Sequence, residues 1–202
     1  MGQYYNIVTF KNKQYRVYDR SLKADENADR EYMCAKLTEH SWLKNETMMA
    51  VSNLIYQYPT RLAWIGDYAD SIKQQYEIPN KDLSISKVQT LYKLAWKGNN
   101  ETSFIKVNFD CKDKLLVNWT KKQYMSMQEY IKISTDKDGW CLHPLSLLTA
   151  LGNGQGGGDY YGINKDKIGI WSFDELSFEN SENEKELLQD NFTKFIVEFK
   201  EN

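Results

Sequence analysis

No apolar run in this chain outlasts a single strand or a short helix, and brief polar or charged turns divide one run from the next. Tyr4–Phe10 and Gln14–Tyr18 are β-prone stretches separated by Lys11-Asn12-Lys13, which reads as an opening hairpin. Ser103–Phe109, Lys114–Trp119 and Gln123–Met127 follow one another through charged turns as a meander, and further strands are expected near Ile168–Phe173, Glu175–Glu179 and Phe192–Phe199. Arg61–Ile65 is short, apolar and bounded by Pro59 and Gly66, the pattern of a buried strand. Strands joined mostly by short turns belong to an antiparallel sheet. The expectation is an α+β fold, a single domain over 1–202, with a mainly antiparallel sheet and about three helices.

The helices announce themselves by period and punctuation. Met48, Val51, Leu54, Ile55 and Tyr58 recur at helical spacing after Asn45, a natural N-cap, and Pro59 stops the run. Ser86–Trp96 places Val88, Leu91, Tyr92 and Ala95 on one face, with Gly98 just past its end. Pro144, then Leu145, Leu147, Leu148 and Leu151 before Gly152, reads as a short apolar helix with Pro at its start and Gly as its C-cap. A shorter helix is expected over Asp70–Tyr76. Residues 19–31 are polar and read as a surface excursion, and 180–190 as an acidic connection.

With 202 residues, 41% of them hydrophobic, the chain has enough apolar mass to bury a core. A formal net charge of −2 argues against a dedicated DNA-binding protein, which carries a basic excess. No apolar stretch approaches the roughly 20 residues of a membrane span, and the mean hydropathy is −0.68. The Met1-Gly2-Gln3 start lacks the basic and apolar segments of a secretory signal, so a cytoplasmic location is expected. Cys34, Cys111 and Cys141 show no CxxC spacing and indicate neither a disulfide framework nor a zinc knuckle. The residues name no cofactor.

Six of the eleven glycines fall within 152–162. Such a concentration demands positive φ or close approach of another group, at a cost in conformational entropy. One reading is an anion cradle: successive N–H groups of Gly154, Gly156, Gly157 and Gly158 form a nest, with Asn153, Gln155, Asp159 and Tyr160 recognising the rest of a ligand. The loop lacks the Gly-Lys-Ser/Thr ending of a P-loop and follows a helix rather than a strand. The competing reading is a tightly wound connection. Replacing Gly156 and Gly157 with bulkier residues is expected to abolish ligand binding and leave the fold largely intact.

Two histidines, His40 and His143, are candidates for acid–base or metal chemistry, with Glu39, Asp67, Asp70 and Cys141 as the available partners. No HExxH-type spacing ties them together, and a histidine bonded to backbone is the plainer alternative for each. Asp67 and Asp70 follow the apolar RLAWI run, where a strand end presents polar groups, though helix capping by Asp67 accounts for it equally well. Trp64, Trp96 and Trp119 read as core residues. Tyr160-Tyr161 beside the glycines reads as a pair able to stack on a base or pack on a partner.

MGQYYN at 1–6, KLTEHSWL at 36–43, RLAWIGDYAD at 61–70 and HPLSLLTALGNGQGGGDYYG at 143–162 together resemble a family of uncharacterised bacterial and phage proteins. The family carries no assigned activity, so the resemblance implies kinship without a reaction. It also implies that the glycine loop, His40 and the GDYAD segment belong to one pattern. The leading expectation is a cytosolic binding protein holding a small anionic or nucleotide-like ligand in that pocket, a signalling nucleotide in a phage-borne case. A hydrolase built on His40, His143, Asp67 and Asp70 is the enzymatic rival. The third reading is a protein-interaction module or inhibitor with a host protein partner.

Overall fold

The computed structural model of the chain describes residues 1–11, 14–23, 27, 31–32, 36–71, 91–96 and 101–201. Its strands, in chain order, are β1 (Tyr5–Lys11), β2 (Gln14–Lys23), β3 (Glu31–Tyr32), β4 (Thr60–Gly66), β5 (Glu101–Ile105), β6 (Lys114–Asn118), β7 (Gln123–Ser126), β8 (Ala150–Leu151), β9 (Glu175–Asn180) and β10 (Thr193–Lys194). The helices are α1 (Leu37–His40), α2 (Glu46–Leu54), α3 (Leu91–Trp96), α4 (Met127–Ser134), α5 (Pro144–Thr149) and α6 (Glu184–Gln189). All ten strands belong to one sheet, mostly antiparallel, so the fold is α+β as the sequence predicts, with more and shorter helices than expected.

β4 lies at the middle of that sheet, and its composition follows from its position. Leu62 and Trp64 enter the larger hydrophobic cluster on one face, and Ala63 and Ile65 enter a second cluster on the other. A strand covered on both faces reads as a continuous apolar run, because alternation disappears. Along one edge β4 pairs antiparallel with β1, from Tyr5↔Gly66 to Phe10↔Arg61. Its other edge is divided between β9 at Thr60–Arg61 and β8, which runs parallel at Trp64–Ile65. The sheet continues through β1 to β2 on one side and through β9, β6 and β7 to β10 on the other.

Helices cover both faces. Met48 and Val51 of α2, and Leu145, Leu147 and Leu148 of α5, pack with Ile7, Leu62, Leu116 and Phe178. On the far face Leu91, Ala95 and Trp96 of α3 meet Val8, Phe10 and Ile65, while Leu187 of α6 joins Leu115, Val117 and Tyr124. Each such buried side chain contributes about 1.5–3 kcal/mol relative to exposure. α2 begins where Asn45 accepts hydrogen bonds from the N–H groups of Thr47 and Met48, at 2.9 and 3.4 Å.

Several local expectations give way to long-range ones. The meander fails at its first strand: β6 and β7 pair antiparallel, but β5 leaves them and runs parallel to β2. The run Gln123–Met127 ends as a strand at Ser126, whose hydroxyl accepts from the Glu129 N–H and starts α4. Residues 168–173 form successive turns rather than a strand, with Gly169 at φ 77° and Phe173 at φ 61°. The N–H groups of Gly169, Trp171 and Phe173 go to the Leu147, Leu148 and Leu62 carbonyls, and those of Ile168, Ile170 and Ser172 close local turns. Of Phe192–Phe199 only Thr193–Lys194 is strand, and the acidic stretch 180–190 contains α6. β2 runs to Lys23, into the polar stretch expected as a surface excursion. Residues 72–90 and 97–100 lie outside the described residues, and with them most of the helix expected over Asp70–Tyr76, the first half of the one over Ser86–Trp96, and Gly98. Among the described residues no helix is long and apolar enough to cross a membrane.

Candidate functional site

The glycine loop is a nest, and its occupant is the chain's own carboxylate. α5 ends at Thr149, β8 takes the next two residues, and Gly152 then turns the chain at φ 103°, so it is not the helix C-cap expected from its spacing. Consecutive N–H groups of Gly154, Gln155 and Gly156 converge on Asp159 Oδ2, each at 2.8 Å. Asp159 Oδ1 accepts a hydrogen bond from the Tyr5 hydroxyl at 2.7 Å. With 3% of its surface exposed, Asp159 is shielded from water. Burial, and then this carboxylate, hold the Tyr5 phenol protonated far above its ordinary range. Beside it the Asn153 side chain accepts from the Tyr160 N–H at 2.7 Å and donates to the Tyr160 carbonyl at 2.8 Å. The polar groups expected to grip a ligand thus bond to one another.

The same loop is tied to the first residues of the chain. Gln3 N–H donates to the Gly157 carbonyl at 2.9 Å, and Gly157 N–H donates to the Met1 carbonyl at 3.0 Å. Thr38 N–H, in α1, donates to the Gly158 carbonyl at 3.1 Å, and Asp67 N–H to the Tyr4 carbonyl at 2.9 Å. The glycine loop, the LTEH segment and the GDYAD segment therefore meet around residues 1–5. Gln3 is fully buried between them, its carboxamide nitrogen and oxygen without hydrogen-bond partners among the described residues. A Cβ at Gly156 would stand 2.8 Å from Gln3 Cβ and 2.9 Å from its backbone nitrogen, whereas one at Gly157 would find its nearest atoms at 3.7 Å. The two glycines are not equivalent: a side chain at Gly156 requires the loop and Gln3 to shift apart, and one at Gly157 does not.

The predicted acid–base set disperses into structural bonds. His143 is fully buried and is the N-cap of α5: its Nδ1 accepts from the Leu145 N–H at 3.2 Å, and its Nε2 lies 3.1 Å from Ser52 Oγ and 3.9 Å from Cys111 Sγ. Its backbone N–H bonds to the Ser41 carbonyl, beside His40, but the ring turns into the core against Phe178. Burial lowers its pKa to about 3. His40 Nδ1 accepts from the Lys36 N–H at 3.2 Å, and desolvation lowers its pKa also. Asp67 Oδ1 accepts from Tyr4 N–H at 3.3 Å. Asp70 caps a helix: its two oxygens accept from the N–H groups of Leu91 and Tyr92 at 2.7 and 3.0 Å.

Burial raises the Cys111 thiol to about 12 and the Cys141 thiol to about 11, so neither supplies a thiolate at neutral pH. Among the described residues no three His, Cys, Asp or Glu side chains are grouped as metal ligands.

A second feature escaped the sequence reading. Trp42, held opposite Leu142 by a β-bridge, stands 5.2 Å from Trp140 between ring centroids, at 55°. Trp140 is 57% exposed. The pair borders a shallow groove that also takes in Phe199, Asp136, Lys200 and Glu201. Asp136 Oδ1 holds the turn beneath by accepting the N–H groups of Asp138 and Trp140, at 2.9 and 2.8 Å. The Lys200 carbonyl accepts from the N–H of exposed Ile163 at 2.9 Å. The available signal was Asp136-Lys137-Asp138-Gly139, a polar turn that delivers Trp140 to the surface rather than to the core. No protein family model, curated protein or solved structure matches the chain.

Proposed function

We propose that this chain is a cytosolic binding module that works through the aromatic face around Trp42 and Trp140, with the glycine loop as the buttress behind it. One observation carries the reading: Asp159 already fills the nest that an anionic ligand would need. Three hydrogen bonds to a carboxylate are worth roughly 1.5–3 kcal/mol each, and a phosphate would have to displace a tethered, buried competitor. The groove beside the two indoles is shallow, with room for little more than a water molecule, so it offers a contact face rather than a pocket for a whole nucleotide. Exposed tryptophan beside a polar rim is the composition of a recognition surface, because an indole supplies contact area at small entropic cost.

The hydrolase alternative has less support, since His143 caps α5, Asp70 caps α3 and His40 accepts a backbone N–H. Native mass spectrometry of protein purified gently from lysate tests the choice, with Trp140→Ala and Gly157→Ala run beside the parent chain. A bound companion should be lost from Trp140→Ala and kept by Gly157→Ala, whose added methyl the loop has room for. A companion kept by Trp140→Ala and lost from Gly157→Ala returns the ligand to the glycine loop.

A further inference from the structure

Asn153-Gly154 is the one Asn-Gly pair in the chain. Such a pair is chemically labile, because glycine sets no Cβ between its backbone nitrogen and the preceding carboxamide. The nitrogen attacks Cγ of the asparagine, a five-membered succinimide closes, and Nδ2 leaves as ammonia with the proton the nitrogen gives up. Water then opens the ring at either carbonyl, leaving aspartate or isoaspartate. The surroundings present no steric bar to this reaction. Gly154 is exposed, and a Cβ built on it would meet nothing within 4 Å, so the ring has room and water has access.

What opposes the reaction is the hydrogen bonding of the nest. The Gly154 N–H donates to Asp159 Oδ2 at 2.8 Å, and a carboxylate at that distance disfavours loss of the proton, since a second negative charge would form beside the first. The Asn153 carboxamide is held at both ends, Oδ1 by the Tyr160 N–H at 2.7 Å and Nδ2 by the Tyr160 carbonyl at 2.8 Å. Its Cγ is therefore tethered to residue 160 rather than free to turn toward the Gly154 nitrogen. We propose that Asn153 is a modification site gated by the Asp159 nest: the closed loop preserves the asparagine, and the open loop deamidates. The change is one-way. A carboxylate at 153 cannot donate to the Tyr160 carbonyl and stands next to Asp159, a like charge. The isoaspartate form also adds a methylene to the main chain of a loop whose three N–H groups must converge on one oxygen. Conversion thus prevents the loop from closing as before, whatever the aromatic face binds.

Intact mass and peptide mapping of the full chain, incubated in mildly alkaline buffer with and without unfolding urea, test the gate. Each conversion adds about 1 Da, and mapping assigns it to a residue. Asn153 should convert at least about tenfold more slowly in the folded parent than in urea, because only the open fraction of the loop reacts. Tyr5→Phe removes a hydrogen bond to Asp159, and Asp159→Asn removes its charge; each should speed conversion of Asn153 in the folded protein by about tenfold. Asn180-Ser181 is the internal control. Asn180 Oδ1 accepts from the Tyr56 hydroxyl and the Lys114 ammonium, both at 2.8 Å and neither in the loop, so its conversion speeds up only when the whole fold opens. Equal rates for Asn153 in the folded and the urea-unfolded parent overturn the proposal. So do variants that convert at the parent rate, and variants in which Asn180 accelerates as much as Asn153. Should Asp159→Asn fail to fold, Tyr5→Phe decides alone.

Discussion

Asp159 shows how one side chain decides what a glycine-rich loop is for. Three N–H groups pointing at one spot form an anion site wherever they occur, and here the anion sits three to five residues further along the same chain. Asp159→Ala should cost about 3 kcal/mol, since three part-buried N–H groups and the buried Tyr5 hydroxyl lose their acceptor together. Urea unfolding checks this; a loss below about 1 kcal/mol means that solvent or another acceptor satisfies the nest.

His143 makes a second prediction through its proton. Its folded pKa of about 3 lies below the ordinary 6.5, so between those values the unfolded chain binds a proton that the folded chain refuses. The stability this supplies is complete above pH 6.5 and is lost as pH falls toward 3. At about 1.36 kcal/mol per pH unit, lowering the pH from 7 to 4.5 should cost the parent about 2–3 kcal/mol more than His143→Asn. The asparagine keeps a capping acceptor at the start of α5 and has no proton to refuse. Unfolding midpoints at the two pH values, measured on both proteins, give the difference directly. That glycines cluster and that His143 precedes a proline were plain in the sequence; that the loop carries its own anion and that the ring faces the core depend on contacts with Tyr5 and Ser52, far away in the chain.

At the scale of elements, legibility follows the range of the cause. α2, β4 and α5 were readable because an Asn45 cap, an apolar run and Pro144 act within a few residues. β5 was misplaced because its partner β2 precedes it by some eighty residues, and parallel pairing leaves no turn signature. The turns at 168–173 read as a strand because Ile168, Ile170, Trp171 and Phe173 are apolar, but burial against α5 and β4, not a ladder, is what those side chains satisfy.

α3 is likewise stabilised from outside itself. Asp70 takes the first two N–H groups of a six-residue helix that lies 21 residues further on, and a helix this short is marginal without such help. Asp70→Ala should cost about 1 kcal/mol, concentrated in α3, so amide exchange at residues 91–96 accelerates about fivefold while α2 and α5 keep their protection. Exchange that rises equally in all three helices would assign Asp70 to the whole fold instead.

For the whole molecule, the segment that matters most out of proportion to its length is residues 1–5. The large sheet is held by pairings through its interior, whereas the glycine loop, α1 and the end of β4 meet around this short segment, to which all but α1 bond directly and beside which Thr38 of α1 bonds the loop at Gly158. Gln3 makes the dependence acute. Its carboxamide is buried without a partner among the described residues, an arrangement that costs free energy and is offset by the close packing of Gly66, Gly152 and Gly156 around it. Removing residues 1–3 should therefore act in two steps. The hydrogen bonds through Gly157 go first, and the space left by Gln3 lets the loop and α1 loosen together. Amide exchange at Gly157 and Thr38 should rise tenfold or more, on the order of 1.4 kcal/mol of local protection, with a fall in Tm of a few degrees. Leu116 and Val117, in β6 and paired on both edges, should keep the protection set by global unfolding. If protection fell by the same factor at Val117 as at Gly157, residues 1–5 would be a determinant of the entire sheet. The aromatic face would then share the fate of the core, because Trp42 follows α1 by two residues and its bridge to Leu142 depends on where that helix sits.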